Sequence, residues 1–250
     1  MYELLWRETK MIFSEKYTTT WHDTDAFRRV RPSQLLVYMQ EVSNHHMSAC
    51  GMSLDELRDK RELAFILSKI RMEIFAPLYA FEDIEVQTWT CPSRGFVIRR
   101  FYRIMRGEDV IAVADTVWAL VSTSTHELVR WEACGEYDFE DGEPIELDLP
   151  ARFRMPSGAE ATSLGERRIV YSDLDYNMHM NNTRYPDMLC DYLPLEDTGR
   201  IRGFVLSYLH EAAFGDTLDV RMHRQDESAY FRTVNKDGQT CLEAQILFRE

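Results

Sequence analysis

Hydrophobic positions recur with a helical period between Ser33 and Ala49, where Leu35, Leu36, Met39, Val42 and His46 share one side. Pro32 suits the first turn of that helix and Gly51 its end. The period then shortens to two. LAFILSKIRMEIF (63–75), EDIEVQTWTC (82–91), GFVIRRFYRIM (95–105) and DVIAVADTVWALVST (109–123) read as strands, the last two joined by a hairpin turn at RGED. Around 132–165 the periodicity disappears into an acidic stretch punctuated by Pro144, Pro150, Pro156 and glycines, which reads as a linker or crossing segment. The order of the first half then repeats: RRIVYSDLDYNMHMNN (167–182), a shorter helix over Thr183–Leu193, and RGFVLSYLHEAAF, DTLDVRMHRQ, SAYFRTVN and CLEAQILFRE, with NKDGQ turning the last hairpin. Pro186 removes a backbone donor early in the second helix and predicts a late start or a loose first turn. The expectation is an α+β chain of two units, 1–135 and 165–250, joined by an acidic linker over 136–164.

Composition changes this picture little. The chain has 250 residues, 45% of them hydrophobic, enough for one large core or two small ones. Apolar stretches are broken well short of the roughly 20 residues that a bilayer span needs, and MYELLWRETK has no apolar leader pattern, so a cytoplasmic protein without membrane insertion is expected. Five widely spaced cysteines with no C-x-x-C read as reduced thiols. A net charge of −13 argues against nucleic acid as a partner, since a phosphate backbone needs a broad cationic face. The basic runs RRVR (28–31), IRRFYRIMR (98–106) and ERR (166–168) leave local patches for an acidic partner.

Several chemistries lack their starting material. There is no G-x-S-x-G elbow, no glycine-rich phosphate loop, and neither His126-Glu127 nor His210-Glu211 has the second histidine of a zincin. DLDYNMHMNN (173–182) imitates a calcium loop, yet Met178 and Arg184 stand where that loop needs glycine and a bidentate glutamate. No metal and no cofactor are expected. If 173–181 is extended, Asp173, Asp175, Asn177, His179 and Asn181 share one face, opposite Leu174, Tyr176, Met178 and Met180. Asn182 would then cap the next helix, whose positive end favours a developing oxyanion.

The stretch D-L-D-Y-N-M-H-M-N-N-T-R-Y resembles the signature of the acyl-acyl carrier protein thioesterases, D-x-N-x-H-x-N-N before the helix of the second of two hot-dog domains. SYLHEAAFGD (207–216) is similar to the family's Y-x-x-E-C-x-x-x-D segment, and WHDTDAFRRVRPSQLLVYMQEVS (21–43) resembles its first-domain entry. The resemblance implies two tandem hot-dog domains, each a long helix wrapped by an antiparallel sheet, that hydrolyse fatty acyl-acyl carrier protein. It assigns the catalytic set to Asp175, Asn177, His179 and Glu211. Ala212 replaces the family's cysteine, so no acyl-cysteine can form there and water must attack. In the first half Phe27 and Arg29 stand against Asn177 and His179, which suggests a duplication in which one half kept the chemistry.

On this reading Glu211 and His179 activate water, Asn177 positions water or the carbonyl, and Asp175 orients the network, while Asp173 fixes the loop. The acyl tail would lie between helix and sheet of the first half, with Leu36, Met39, Phe65, Ile66, Trp89 and Trp118 as candidate lining. Arg28, Arg29, Arg31, Arg167 and Arg168 are candidate docking residues for the acidic carrier. Two alternatives stay open, an acyl-CoA thioesterase of the same fold and a non-catalytic acyl-binding protein, as does a homodimer.

Overall fold

A computed structural model describes residues 12–92, 95–134 and 141–250; the start MYELLWRETK and part of the acidic linker lie outside the described residues. In the first half, β1 (Phe13–Thr18) leads to α1 (Pro32–Ala49), α2 (Leu54–Arg61), β2 (Leu63–Ile74), β3 (Asp83–Thr90), β4 (Val97–Arg106), β5 (Asp109–Ser122) and the short β6 (Leu128–Val129). The second half has β7 (Thr162–Arg168), α3 (Tyr185–Cys190), α4 (Leu195–Thr198), β8 (Ile201–Tyr208), β9 (Thr217–Gln225), β10 (Ser228–Asn235) and β11 (Thr240–Phe248). No helix among the described residues is long and apolar enough to cross a membrane.

The strands make one continuous sheet, β1-β3-β4-β5-β2-β8-β11-β10-β9-β7, with β6 on β5. Its seam is the antiparallel pairing of β2 with β8, Lys69 to Glu73 against Ser207 to Gly203. Both helical layers press on the same face, so the core is shared: Leu36, Met39 and Val42 of α1 belong to one buried cluster with Met188, Leu189, Phe204, Leu242 and Ile246.

Pro32 opens α1 as the sequence indicates, and Leu35, Leu36, Met39, Val42 and His46 are its buried stripe. The second helix is much shorter than Thr183–Leu193. A 3-10 turn over Asn182–Arg184 precedes α3, and Pro186 falls in the first α-turn, where its missing N–H costs nothing. Expected chemistry at the helix start is corrected too: Asn181, not Asn182, is the cap, its Oδ1 accepting from Thr183 N at 2.9 Å. A helix of six residues carries little dipole to offer an oxyanion. Two helices among the described residues escaped the sequence reading altogether: the short α4, and α2, capped by Ser53, whose Oγ accepts from Glu56 N at 3.2 Å.

The crossing segment straps the sheet's outer face. Trp89 Nε1 donates to Glu143 O at 2.8 Å, and Asp148 N donates to Glu73 Oε2 at 2.9 Å. A Cβ on Gly203 would meet Leu149 Cδ2 at 2.8 Å and Met72 O at 3.0 Å, so the strap lies close against the seam, where a side chain would crowd both. Beneath it, buried Asp115 accepts from Arg71 Nη2 at 2.5 Å and Arg99 Nη2 at 2.9 Å, tying β2, β4 and β5 together.

Candidate active site

Residues 173–181 do not run extended. A 3-10 turn over Tyr171–Asp173 is followed by a tight loop in which Asp175 N donates to His179 O at 2.9 Å and Met178 N to Asp175 O at 3.1 Å. Met178 adopts a left-handed φ of 66°, an unfavourable choice for a side chain bearing a Cβ. Asp175 holds it there: its Oδ1 accepts from Asn177 N at 2.8 Å and His179 N at 3.4 Å. Asp173 closes the preceding turn by accepting from Val170 N at 2.8 Å and from Arg167 Nη2 at 2.6 Å. The alternating face predicted for the five polar residues is therefore replaced by a loop that separates anchors from presented groups.

The first half builds the same loop with different side chains. Asp25 Oδ1 accepts from Phe27 N at 2.8 Å and Arg29 N at 3.0 Å, and Arg28 takes φ 65°. Antiparallel bridges pair Arg29 with Tyr79 and His179 with Ala213, so Pro77 occupies the place of Glu211. Arg29 seals this copy: it lies over the Phe27 ring at 4.6 Å and donates to Gly199 O at 2.7 Å, just past α4.

In the second half the loop is stitched to the segment after β8 by Met180 N donating to Ala212 O at 2.8 Å and Phe214 N to Met178 O at 3.1 Å. That register brings His179 Nδ1 within 3.2 Å of Glu211 Oε2. In the neutral imidazole, a proton on Nδ1 facing that carboxylate would leave Nε2 as an acceptor. Asn177 is oriented from the other half: Arg58 of α2 donates to its Oδ1 at 2.6 Å while lying 4.9 Å from the Tyr176 ring centre. With Oδ1 occupied, the amide keeps its N–H donors for a carbonyl oxygen. Asp175, Asn177, His179 and Glu211 all line the mouth of one cavity of about 430 Å³.

The cavity runs into the first half between α1 and the sheet. Phe65, Ile66 and Trp118 line it, whereas Leu36 and Met39 are packed in the core below. Trp89 is a correction, since it sits on the opposite face of the sheet, packed with Phe101 and held by the strap. The sequence reading also missed Arg58, Trp131, Thr90, Arg100 and Tyr208 on the cavity wall. The S-x-x-E pattern at Ser53–Glu56 could have flagged α2 and hence Arg58, and the Y-x-x-E segment already contains Tyr208; Trp131, Thr90 and Arg100 carry no motif.

Ala212 is buried and does not line the cavity. Cys241, its Sγ 3.9 Å from Glu211 O, is pushed up to about 11 by burial, which keeps it a thiol at neutral pH. Of the proposed docking arginines, Arg28 and Arg168 are exposed. Arg29, Arg31 and Arg167 are committed to Gly199 O, His22 O and Asp173 respectively. Among the described residues, no group of three or more His, Cys, Asp or Glu is arranged to hold a metal.

The acyl-ACP thioesterase N-terminal domain model matches residues 10–133, and the C-terminal domain model matches residues 159–250. A chloroplastic acyl-[acyl-carrier-protein] hydrolase of Cuphea viscosissima is 23% identical over 225 residues, covering 84% of this chain and 54% of the relative. The oleoyl-acyl carrier protein thioesterase of Coriandrum sativum is 23% identical over 234 residues, 85% of this chain and 62% of its own length. The chain thus spans between half and two thirds of these relatives. Among solved structures, an acyl-ACP thioesterase from Bacteroides thetaiotaomicron superposes with a TM-score of 0.87 at 22% identity, covering 97% of this chain and 99% of that one. The 12:0-ACP thioesterase from Umbellularia californica gives 0.82 at 17% identity, over 96% and 97%. At these identities the structures show the shared tandem hot-dog fold.

Proposed function

The chain belongs to the acyl-acyl carrier protein thioesterase family, and from that premise we propose that it hydrolyses the thioester of a fatty acyl group carried on acyl carrier protein. The observation that carries the proposal is the His179–Glu211 pair, 3.2 Å apart at the mouth of a deep, partly apolar cavity. In this reading Glu211 steadies the imidazole through Nδ1, and Nε2 takes a proton from water. The water oxygen bonds to the thioester carbon, the charge that gathers on the carbonyl oxygen is met by the Asn177 amide N–H, and Arg58 fixes that amide. The C–S bond then breaks, the departing sulfur takes the proton from His179, and free fatty acid and carrier thiol leave. Asp175 is a positioning residue that holds the loop. The buried Ala212 and the burial-raised Cys241 support water, not a thiolate, as the nucleophile.

Exposed Arg28 and Arg168 are the docking residues we favour for the acidic carrier, because their neighbours in the two basic clusters are already engaged inside the protein. Thiol release from acyl-carrier and acyl-CoA substrates across chain lengths tests the reading. We expect release from the carrier substrate, with Glu211→Ala reducing kcat by about 10²–10⁴ at an unchanged melting temperature. Release from no thioester would overturn it and leave acyl binding as the better account.

A further inference from the structure

We propose that the far end of the cavity is a subsite for an oxygen atom, hydroxyl or oxo, carried on the distal part of the acyl tail; this rests on the thioesterase reading and names its substrate class more narrowly. Thr90 is 4% exposed, lines the cavity, and has an Oγ1 that finds no hydrogen-bond partner among the described residues. In the antiparallel register Thr90 pairs with Arg100, and both face inward while Trp89 and Phe101 face out. Arg100, 5% exposed, also lines the wall; its Nη1 bonds to Thr88 Oγ1 at 3.1 Å and meets His46 Nδ1 at 2.9 Å.

A purely alkyl tail does not need this wall. The Thr90 hydroxyl is already shut off from water and unpaired beside a buried guanidinium, a penalty that an alkyl tail leaves in place and that valine at the same position would avoid. A tail bearing an oxygen reverses the sign, since a hydroxyl can donate to or accept from the threonine hydroxyl and an oxo group can accept from it. Position along the tail follows from the sheet. The thioester end lies by β8, and β3, which carries Thr90, is four strands away in the order β8-β2-β5-β4-β3, roughly 19 Å along the sheet. Ile98, Trp118 and Phe65 give the intervening methylenes an apolar passage.

The test uses the full chain with acyl-carrier or acyl-CoA substrates of one length, unsubstituted or bearing a hydroxyl stepped from mid-chain to the terminal carbon. For at least one distal position we expect kcat/KM to exceed that of the unsubstituted chain by about three- to tenfold, the range a single added hydrogen bond supplies. Thr90→Val should abolish that ratio and Thr90→Ser should keep it, which separates hydroxyl loss from misfolding. A wild-type preference for the plain chain over every isomer, or an unchanged ratio in Thr90→Val, would overturn the subsite. If no thioester is cleaved the parent reading fails separately. Melting shifts with the free hydroxy and plain fatty acids then decide the subsite alone: a larger shift with a distal hydroxy acid in wild type but not in Thr90→Val supports it, and equal shifts sink it.

Discussion

Asp25 and Asp175 hold loops of the same shape, each accepting from the backbone two and four residues ahead and each supporting a left-handed residue. Only one of those loops presents an asparagine and a histidine. Replacing either aspartate by alanine should therefore cost about 1 kcal/mol of stability, as loss of a capping oxygen does, while only Asp175→Ala lowers kcat. Denaturant melts and thiol-release assays on the two variants check this, and equal activity would mean that the loop tolerates loss of its anchor. The identities of the presented groups were legible in the sequence because the motif is contiguous. Their geometry was not, since a period-two reading has no means of seeing that an aspartate has turned its own backbone. Thr90 and Arg100 were illegible for a different reason: a threonine and an arginine in a strand look like surface until the sheet curls round a helix.

At the scale of elements, the informative helix is α2, which lies in one half and serves the other. Arg58→Met should lower kcat by about ten- to hundredfold through a misplaced Asn177 amide, with KM and melting temperature little changed and partial recovery in Arg58→Lys. A loss confined to KM would instead mark Arg58 as a substrate contact. On α1, His46 is held neutral, at about 4, by burial and by Arg100. Its folded value lies below its unfolded one, so the unfolded chain binds the extra proton between about 4 and 6.5, and stability is full above 6.5 and declines as pH falls. Thermal melts from pH 7 to 5 should slope downward, and His46→Asn should flatten that slope even while lowering the whole curve. The long stripe of α1 made it readable from sequence; α3 was over-extended because its apolar positions continue past Cys190 although the chain turns there.

Over the whole molecule, one sheet and one shared core leave no boundary at which a half could melt alone. All five tryptophans lie in the first half, so their fluorescence reports that half and far-ultraviolet circular dichroism reports the entire sheet. The two signals should unfold together; separated midpoints would show that the β2–β8 seam is weaker than its five paired residues suggest. The sequence divided the chain in two because the repeat is visible along it, whereas hydrogen bonds between β2 and β8 leave no trace in composition.

The strap has a consequence of its own. A single cut in the exposed stretch around Gly158 removes no strand and no cavity residue. It yields two polypeptides, each ending its sheet in a bare edge whose natural complement is the other. Such fragments are a matched pair: apart, each offers an open edge prone to aggregation, and mixed, they should restore the thioester hydrolysis proposed for the intact chain, at a rate that depends on concentration.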